Sequence, residues 1–199
     1  MKIKQGMLYI LATGMLLLCT TTCDNPWVIE NTNVLFKDKE YSIGDIGPAG
    51  GIVFYDKGNS SGGWRYLEAA PTDAPGSISW GPTGFTAATS DSLGTGKQNT
   101  LNIIAGLDSI SDFTLYAARV CDNFSYGGEN DWFLPSYDEL FLMYDNLYRA
   151  AALGSFAAYY YWSSSMDTWA FVKCHNFATG YSYSDMLTGV NCVRAIRAF

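Results

Sequence analysis

The chain has 199 residues, of which 16% are charged and 16% are aromatic, including 14 tyrosines. This aromatic content excludes a disordered chain, because disordered segments are poor in aromatic residues. The formal net charge of −7 excludes a nucleic-acid partner, which would require a basic surface. With one histidine and five cysteines, a zinc enzyme is not expected, and we predict no cofactor. The composition favours an acidic, tyrosine-rich globular domain whose uncharged polar surface suits binding.

Residues 1–22 are predicted to be a lipoprotein signal peptide. Two lysines precede an apolar run at 7–18 that is too short to span a bilayer. Cys23 follows a patch of threonines and is the favoured lipidation site, whereas Cys19 follows three leucines and is the weaker alternative. An unmodified secreted protein is the remaining possibility. Lipidation would anchor the chain to the bacterial outer membrane, at the cell surface. Removal of residues 1–22 would remove two lysines and no acidic residue, which gives the mature chain a net charge of −9.

The next segment, 23–44, is polar and rich in turn-forming residues, so we predict a tether. A folded domain is predicted over 45–199. It opens with a glycine-rich turn and the strand Ile52–Tyr55, which is followed by a second turn and a strand at Trp64–Glu68. This order predicts a β-hairpin.

The middle of the domain is predicted to hold a long loop and then helices. Residues 71–96 are rich in Gly, Pro, Thr and Ser, and we expect Trp80 and Phe85 to pack this loop onto the core. Helical spacing is present over 98–106 and 112–123. In the second segment the spacing predicts one apolar face, formed by Leu115, Ala118 and Cys121.

The clearest helix start lies at Ser136. Ser136 and Glu139 form the pattern of a capping box, and Asp138 adds negative charge to the first turn. Asp138 and Glu139 are not expected to be paired catalytic carboxylates, because adjacent helical positions point about 100° apart. Apolar positions follow at helical spacing: Leu140, Met143, Tyr144 and Leu147.

The C-terminal part is predicted to be β-structure. Strands are expected at Tyr159–Trp162, at Trp169–Cys174 and within Asn191–Phe199, with Ser163–Ser165 as the exit from the first strand. The segments between them are dense in Tyr, Ser, Asn and Asp and nearly lack Lys and Glu.

Five motifs in chain order resemble the DUF1566 (Lcl C-terminal) family: 47–56 (GPAGGIVFYD), 64–71 (WRYLEAAP), 131–136 (DWFLPS), 161–165 (YWSSS) and 193–199 (VRAIRAF). The resemblance spans about residues 44–199. It implies an α+β protein with a C-type lectin-like fold, made of short antiparallel strands with two or three helices and related to the formylglycine-generating enzymes.

Within this group, the chain resembles surface lipoproteins whose C-terminal segment is diversified by a diversity-generating retroelement. Such elements mutate template adenines, so that asparagine codons scatter to Tyr, Ser, Asp, His, Cys, Gly, Arg and Thr but not to Lys, Glu, Met or Trp. The resemblance implies a variable ligand-binding region at about 160–199 that binds a protein or another cell-surface ligand. Its expected ligand-binding residues are Asp167, Cys174, His175, Tyr181, Ser182, Tyr183, Ser184, Asp185, Asn191 and Cys192.

On this interpretation, His175, Tyr181, Tyr183 and Asp185 face the ligand. Four aromatic residues are then expected to pack the core: Trp162, Trp169, Phe177 and Phe199.

Two other functions stay open at this point, besides a structural surface protein without a specific ligand. The fold resemblance also suggests calcium-dependent sugar binding, for which the nearest candidate oxygens are those of Asp122, Glu129, Asp131 and Asp185, although the usual sugar-binding motifs are absent. It also suggests a formylglycine-generating type of enzyme that uses a cysteine pair, such as Cys174 and Cys192. That pair could instead form a disulfide or remain as two free thiols. We expect a binding protein with no catalytic residues and no metal site rather than an enzyme.

Overall fold

A computed structural model of the protein describes residues 39–199. The predictions for the signal peptide, for Cys23 and for most of the tether lie outside the described residues. The described chain is an α+β protein, as predicted, because it combines three α-helices with small antiparallel sheets.

The helices lie in the middle of the described chain. A 3-10 turn at Ser61–Gly63 precedes three α-helices, and a π-helix at Tyr144–Arg149 directly continues the last of them. Across residues 39–199, no helix has the length and apolar character that crossing a membrane requires. The α-helices are α1 (Gly96–Ser109), α2 (Ala117–Asp122) and α3 (Tyr137–Met143).

Eight short strands of the described chain form three antiparallel sheets. Their order is β1-β2-β8 in the first sheet, β3-β7 in the second and β4-β5-β6 in the third. The strands are β1 (Ile52–Asp56), β2 (Tyr66–Ala69), β3 (Ile78–Ser79), β4 (Tyr160–Met166), β5 (Phe171–Asn176), β6 (Ser182–Met186), β7 (Val190–Asn191) and β8 (Ile196–Ala198).

The predicted hairpin is confirmed as β1 and β2, which pair with Ile52 opposite Ala69. Gly51 is required here, since a Cβ on it would lie 2.6 Å from the carbonyl oxygen of Ala69. The buried Glu68 accepts a hydrogen bond from the Gly51 N–H at 3.0 Å and one from Arg197 of β8 at 3.2 Å. This carboxylate therefore ties the hairpin to the last strand of its sheet.

The predicted start of α3 is also confirmed. The Ser136 hydroxyl accepts from the Glu139 N–H, and the Glu139 carboxylate accepts from the Ser136 N–H at 2.7 Å. Glu139 is fully buried and accepts a further hydrogen bond from the Gly94 N–H at 2.8 Å. Burial raises the pKa of the Glu139 carboxyl to about 7.

Two buried tryptophans join the long loop to the third sheet. Trp162 of β4 donates from its indole nitrogen to the carbonyl oxygen of Ile78 at 2.7 Å. Trp80, in the loop, donates in the same way to the carbonyl oxygen of Ser163 at 2.8 Å. Trp80 and Phe85 are both buried, which confirms the expectation that they pack this loop onto the core.

The sequence prediction was wrong for two local features. Helix α2 begins at Ala117 rather than near residue 112, because the Asp112 carboxylate accepts from the Thr114 N–H at 3.0 Å and holds a turn there. Leu115 is therefore exposed instead of sharing the buried face of Ala118 and Cys121. The serines 163–165 lie buried inside β4 instead of leaving the strand.

Candidate functional site

The candidate site is the hairpin of β5 and β6 at the free edge of the third sheet. Its register places Lys173 opposite Ser184, Cys174 opposite Tyr183, and His175 opposite Ser182. The turn between the strands is closed by Asn176, whose side-chain oxygen accepts from the N–H groups of residues 178 and 179 at 2.9 and 3.0 Å. On its other side, β5 pairs with the buried strand β4, which holds the hairpin in place against the core.

The second strand of the hairpin carries the exposed candidate residues. Tyr181 is 75% exposed and Tyr183 is 54% exposed. Ser182 is also exposed, whereas Ser184 and Asp185 are half-buried. Asp167 lies in the turn between β4 and β5 and accepts a hydrogen bond from the Ser184 hydroxyl at 2.9 Å. Residues 182–184 therefore border one groove, and Asp167 lies beside Ser184.

The expectation that His175 faces outward is wrong. Its side chain is fully buried, with its ring centroid 4.4 Å from that of Tyr144 and 5.5 Å from that of Phe141. Neither ring nitrogen of His175 has a hydrogen-bond partner. Burial lowers the pKa of the imidazole to about 4. The physical reason is the helical layer of residues 137–149, which covers this face of β5.

Two more of the expected ligand-binding residues are buried. Cys174 lies on the opposite face of β5 from His175 and packs in the core that contains Trp162. Asn191 pairs with Ile78 in the second sheet and donates to the Asp185 carboxylate at 3.1 Å. Neither side chain is available to a ligand in this structure, so the expected direct contacts of both are wrong.

The cysteines are free thiols in the described chain, so Cys174 and Cys192 form no disulfide in this structure. Cys192 is half-buried, and its backbone is bonded to β4 through the Trp162 N–H at 3.0 Å. Burial raises the pKa of the Cys174 thiol to about 12 and raises the pKa of the Cys192 thiol as well. Both groups are therefore protonated near neutral pH, whereas a redox-active pair requires a reactive thiolate.

One side of the hairpin borders a groove of about 480 Å³. The groove is lined by Tyr137, Lys173 and residues 182–184. The Lys173 ammonium forms an ion pair with Asp91 and lies 5.6 Å from the centre of the Tyr137 ring. The Tyr137 and Ser182 hydroxyls are hydrogen-bonded. The groove thus combines hydroxyl groups, one neutralised cation and aromatic surface.

An apolar groove of about 330 Å³ lies at the other end of the hairpin. Trp169, Phe171 and Met186 line it, and Trp169 is 75% exposed. The prediction that Trp169 packs in the core is therefore wrong. The exposure of Phe171 could have been predicted from the alternation of side chains along β5. Val172 and Cys174 are buried on one face of the strand, and Phe171 lies on the other face.

The acids offered for calcium do not converge. Glu129 and Asp131 both form ion pairs with Arg197, and Asp185 is bonded to Asn191. Within residues 39–199, no group of three or more His, Cys, Asp or Glu side chains is placed to hold a metal ion.

Comparison with known proteins adds no assignment, since neither a family model nor a curated protein matches the sequence.

Proposed function

We propose that this chain is a surface-displayed ligand-binding lipoprotein with a C-type lectin-like fold. Lipidation at Cys23 would hold it on the outer membrane, and the tether would carry the domain away from the bilayer. The ligand is a protein or another cell-surface molecule, and the surface formed by β5 and β6 contacts it. On this proposal the surface is diversified by a retroelement, whereas the remainder of the domain is constant.

The observation that carries the proposal is the exposure of aromatic side chains on the hairpin of β5 and β6 and in the turn that precedes it. Tyr181, Tyr183 and Trp169 are each more than half exposed, although their burial would stabilise the fold. Tyrosine and tryptophan provide large contact areas at a small cost in conformational entropy, which is typical of binding surfaces. Tyr183 lines the polar groove, so hydrogen-bonding groups lie next to its ring, whereas Trp169 lines the apolar groove at the other end of the hairpin.

A second supporting feature is the separation between this surface and the core. Tyr183 lies in the edge strand β6 and Tyr181 lies directly before it, while the buried Tyr161, Trp162 and Phe177 pack in the core beneath the sheet. Substitutions at the edge therefore leave the core packing intact. This separation is what a surface of variable sequence requires.

The test is a displayed library of the full chain in which five positions of this surface are randomised. The allowed residues are those that adenine mutagenesis of asparagine codons reaches. The positions are Asp167, Tyr181, Ser182, Tyr183 and Ser184. We expect most members to keep the parental melting temperature within about 5 °C, because surface substitutions change stability little. We also expect panning against a folded probe protein, lysozyme, to yield specific binders.

A matched control library randomises five buried positions of the same region, and we expect most of its members to unfold: Trp162, Cys174, His175, Phe177 and Asn191. The proposal is contradicted if the two libraries lose stability equally. It is also contradicted if the folded members of the first library bind lysozyme no better than the parent chain does.

A further inference from the structure

Strand β6 leaves one side of its backbone open. The Asn176 N–H donates to the Tyr181 carbonyl at 3.0 Å, so these opposed residues are a hydrogen-bonded pair. Hydrogen-bonded pairs alternate along an antiparallel ladder. The backbone groups of Tyr183 and Asp185 therefore also point toward β5, and those of Ser182 and Ser184 point away from it.

Only two residues of β6 keep this outward side free in the described chain. The third outward residue, Met186, donates its N–H to the Asp185 carboxylate at 2.8 Å and accepts from the Gly189 N–H at 2.9 Å. The backbone groups of Ser182 and Ser184 form no hydrogen bond to another described segment. Since β6 is the last strand of its sheet, these groups face the surface.

The spacing of the free groups fits an extended polypeptide. Residues two apart in a strand are separated by about 6.5–7 Å, which is also the repeat of an added strand. Ser182 and Ser184 together offer two N–H donors and two carbonyl acceptors at this repeat. The side chains of an added strand would alternate between the two faces of the sheet. On one face they would meet the groove of Tyr137 and Lys173, and on the other they would meet the ring of Tyr183.

The charges beside this edge favour a basic partner. Neither Asp167 nor Asp185 forms an ion pair with a described lysine or arginine, and their carboxylates accept instead from Ser184 and Asn191. The nearby cation, Lys173, is already paired with Asp91. A second copy of this chain would bring the same acids to the edge, so repulsion disfavours pairing between copies.

We propose that β6 binds an extended, lysine- or arginine-bearing segment of a partner protein as a fourth strand of the sheet. This inference rests on the proposed function and names the class of partner. The main-chain groups of Ser182 and Ser184 supply the hydrogen bonds, and Asp167 and Asp185 select the basic side chains.

The test begins with a displayed library of linear, cysteine-free peptides of about 12 residues, panned on the full chain. The affinity of an enriched peptide is then measured for the parent, for S184P and for S184A. Proline removes an N–H that β5 does not use, whereas alanine keeps that N–H and loses the hydroxyl. We expect S184P to weaken binding at least tenfold and S184A to change it less than about threefold. Both variants should keep the parental fold by circular dichroism.

Methylating alternate backbone nitrogens of the peptide provides a second measurement. Two methylated peptides are compared, one with N-methyl groups at the odd positions and one with them at the even positions. Only one set of N–H groups would face β6, so methylating that set should abolish binding and methylating the other set should leave binding intact. The inference is overturned if no linear peptide is enriched or if S184P and S184A weaken binding equally. It is also overturned if the parent chain self-associates and S184P abolishes that association, because β6 would then pair with a second copy of the chain.

The proposed function has its own readout. Loss of lysozyme binding when the residues at positions 181 and 183 of a library binder are both replaced by alanine, with no effect of replacing its residue at position 184 by proline, would support the binding surface and overturn only the added strand.

Discussion

Replacing His175 with phenylalanine should stabilise the protein. His175 is the only histidine of the chain, and its buried ring lies among Phe141, Tyr144 and Phe177 without a partner for either nitrogen. An unsatisfied buried polar group costs about 1–3 kcal/mol. Phenylalanine also has a flat ring, which is somewhat larger, and it has no polar atom, so H175F should raise the free energy of unfolding by about 1 kcal/mol at pH 7.

The gain should increase as the pH falls. The pKa of His175 is lowered to about 4 in the folded state, whereas an unperturbed imidazole has a pKa of about 6.5. Between these values the unfolded chain binds a proton that the folded chain does not, so acid destabilises the parent. For one group with these two pKa values, the loss between pH 7 and pH 5 is about 2 kcal/mol. H175F lacks this loss.

The measurement is urea unfolding of both proteins at pH 7, 6 and 5. Only the difference between the two proteins is used, because the raised pKa of Glu139 changes the stability of both in the opposite direction. An NMR titration of the single imidazole should show no protonation near pH 6.5. A constant stability difference across this range, or a titration at pH 6.5, would refute the buried position of His175.

Three other experiments test the fold and the candidate site. E139Q should destabilise the protein by about 2–3 kcal/mol in thermal unfolding, because the amide replaces a carboxylate oxygen that accepts a backbone N–H with an NH2 group that can only donate. S136A, which removes only the capping hydroxyl, should cost about 1 kcal/mol. Equal effects of the two variants would contradict this account of the buried carboxylate. W169A should change the unfolding free energy by less than about 0.5 kcal/mol, since the ring is exposed, and a larger loss would place Trp169 in the core. Iodoacetamide at pH 8 should leave Cys121 and Cys174 unlabelled in the native chain and label both in urea, because burial raises the pKa of both thiols. Peptide mass spectrometry locates the labels. Rapid labelling of either cysteine in the native chain would contradict its burial.

The features that the sequence predicted well are those with local causes. The hairpin of β1 and β2 follows from turns that flank short apolar runs, and the start of α3 follows from a serine and a glutamate three residues apart. The exposure of Tyr181 and Tyr183 also agrees with their polar neighbours in the sequence.

The features that the sequence did not predict depend on distant partners. Arg194 is a charged residue of the predicted strand segment Asn191–Phe199, yet its side chain is buried, and Asp73 accepts from its Nε at 2.6 Å. His175 lies in a segment rich in polar residues, which favours exposure, but the helical layer that contains Tyr144 covers its side chain. Trp169 is exposed although tryptophan usually indicates a core. None of these placements can be read from a local pattern, because each depends on which elements pack together.

The most direct test of a diversified binding surface on β5 and β6 is to sequence the 3′ end of this gene in many copies from one population, together with the adjacent DNA. The account predicts a template repeat that differs from the gene only at adenines, with substitutions concentrated at Asp167 and at residues 181–184. The buried Trp162 and Phe177 should be constant. A gene without such a repeat, or with substitutions spread evenly over buried and exposed positions, would contradict the account.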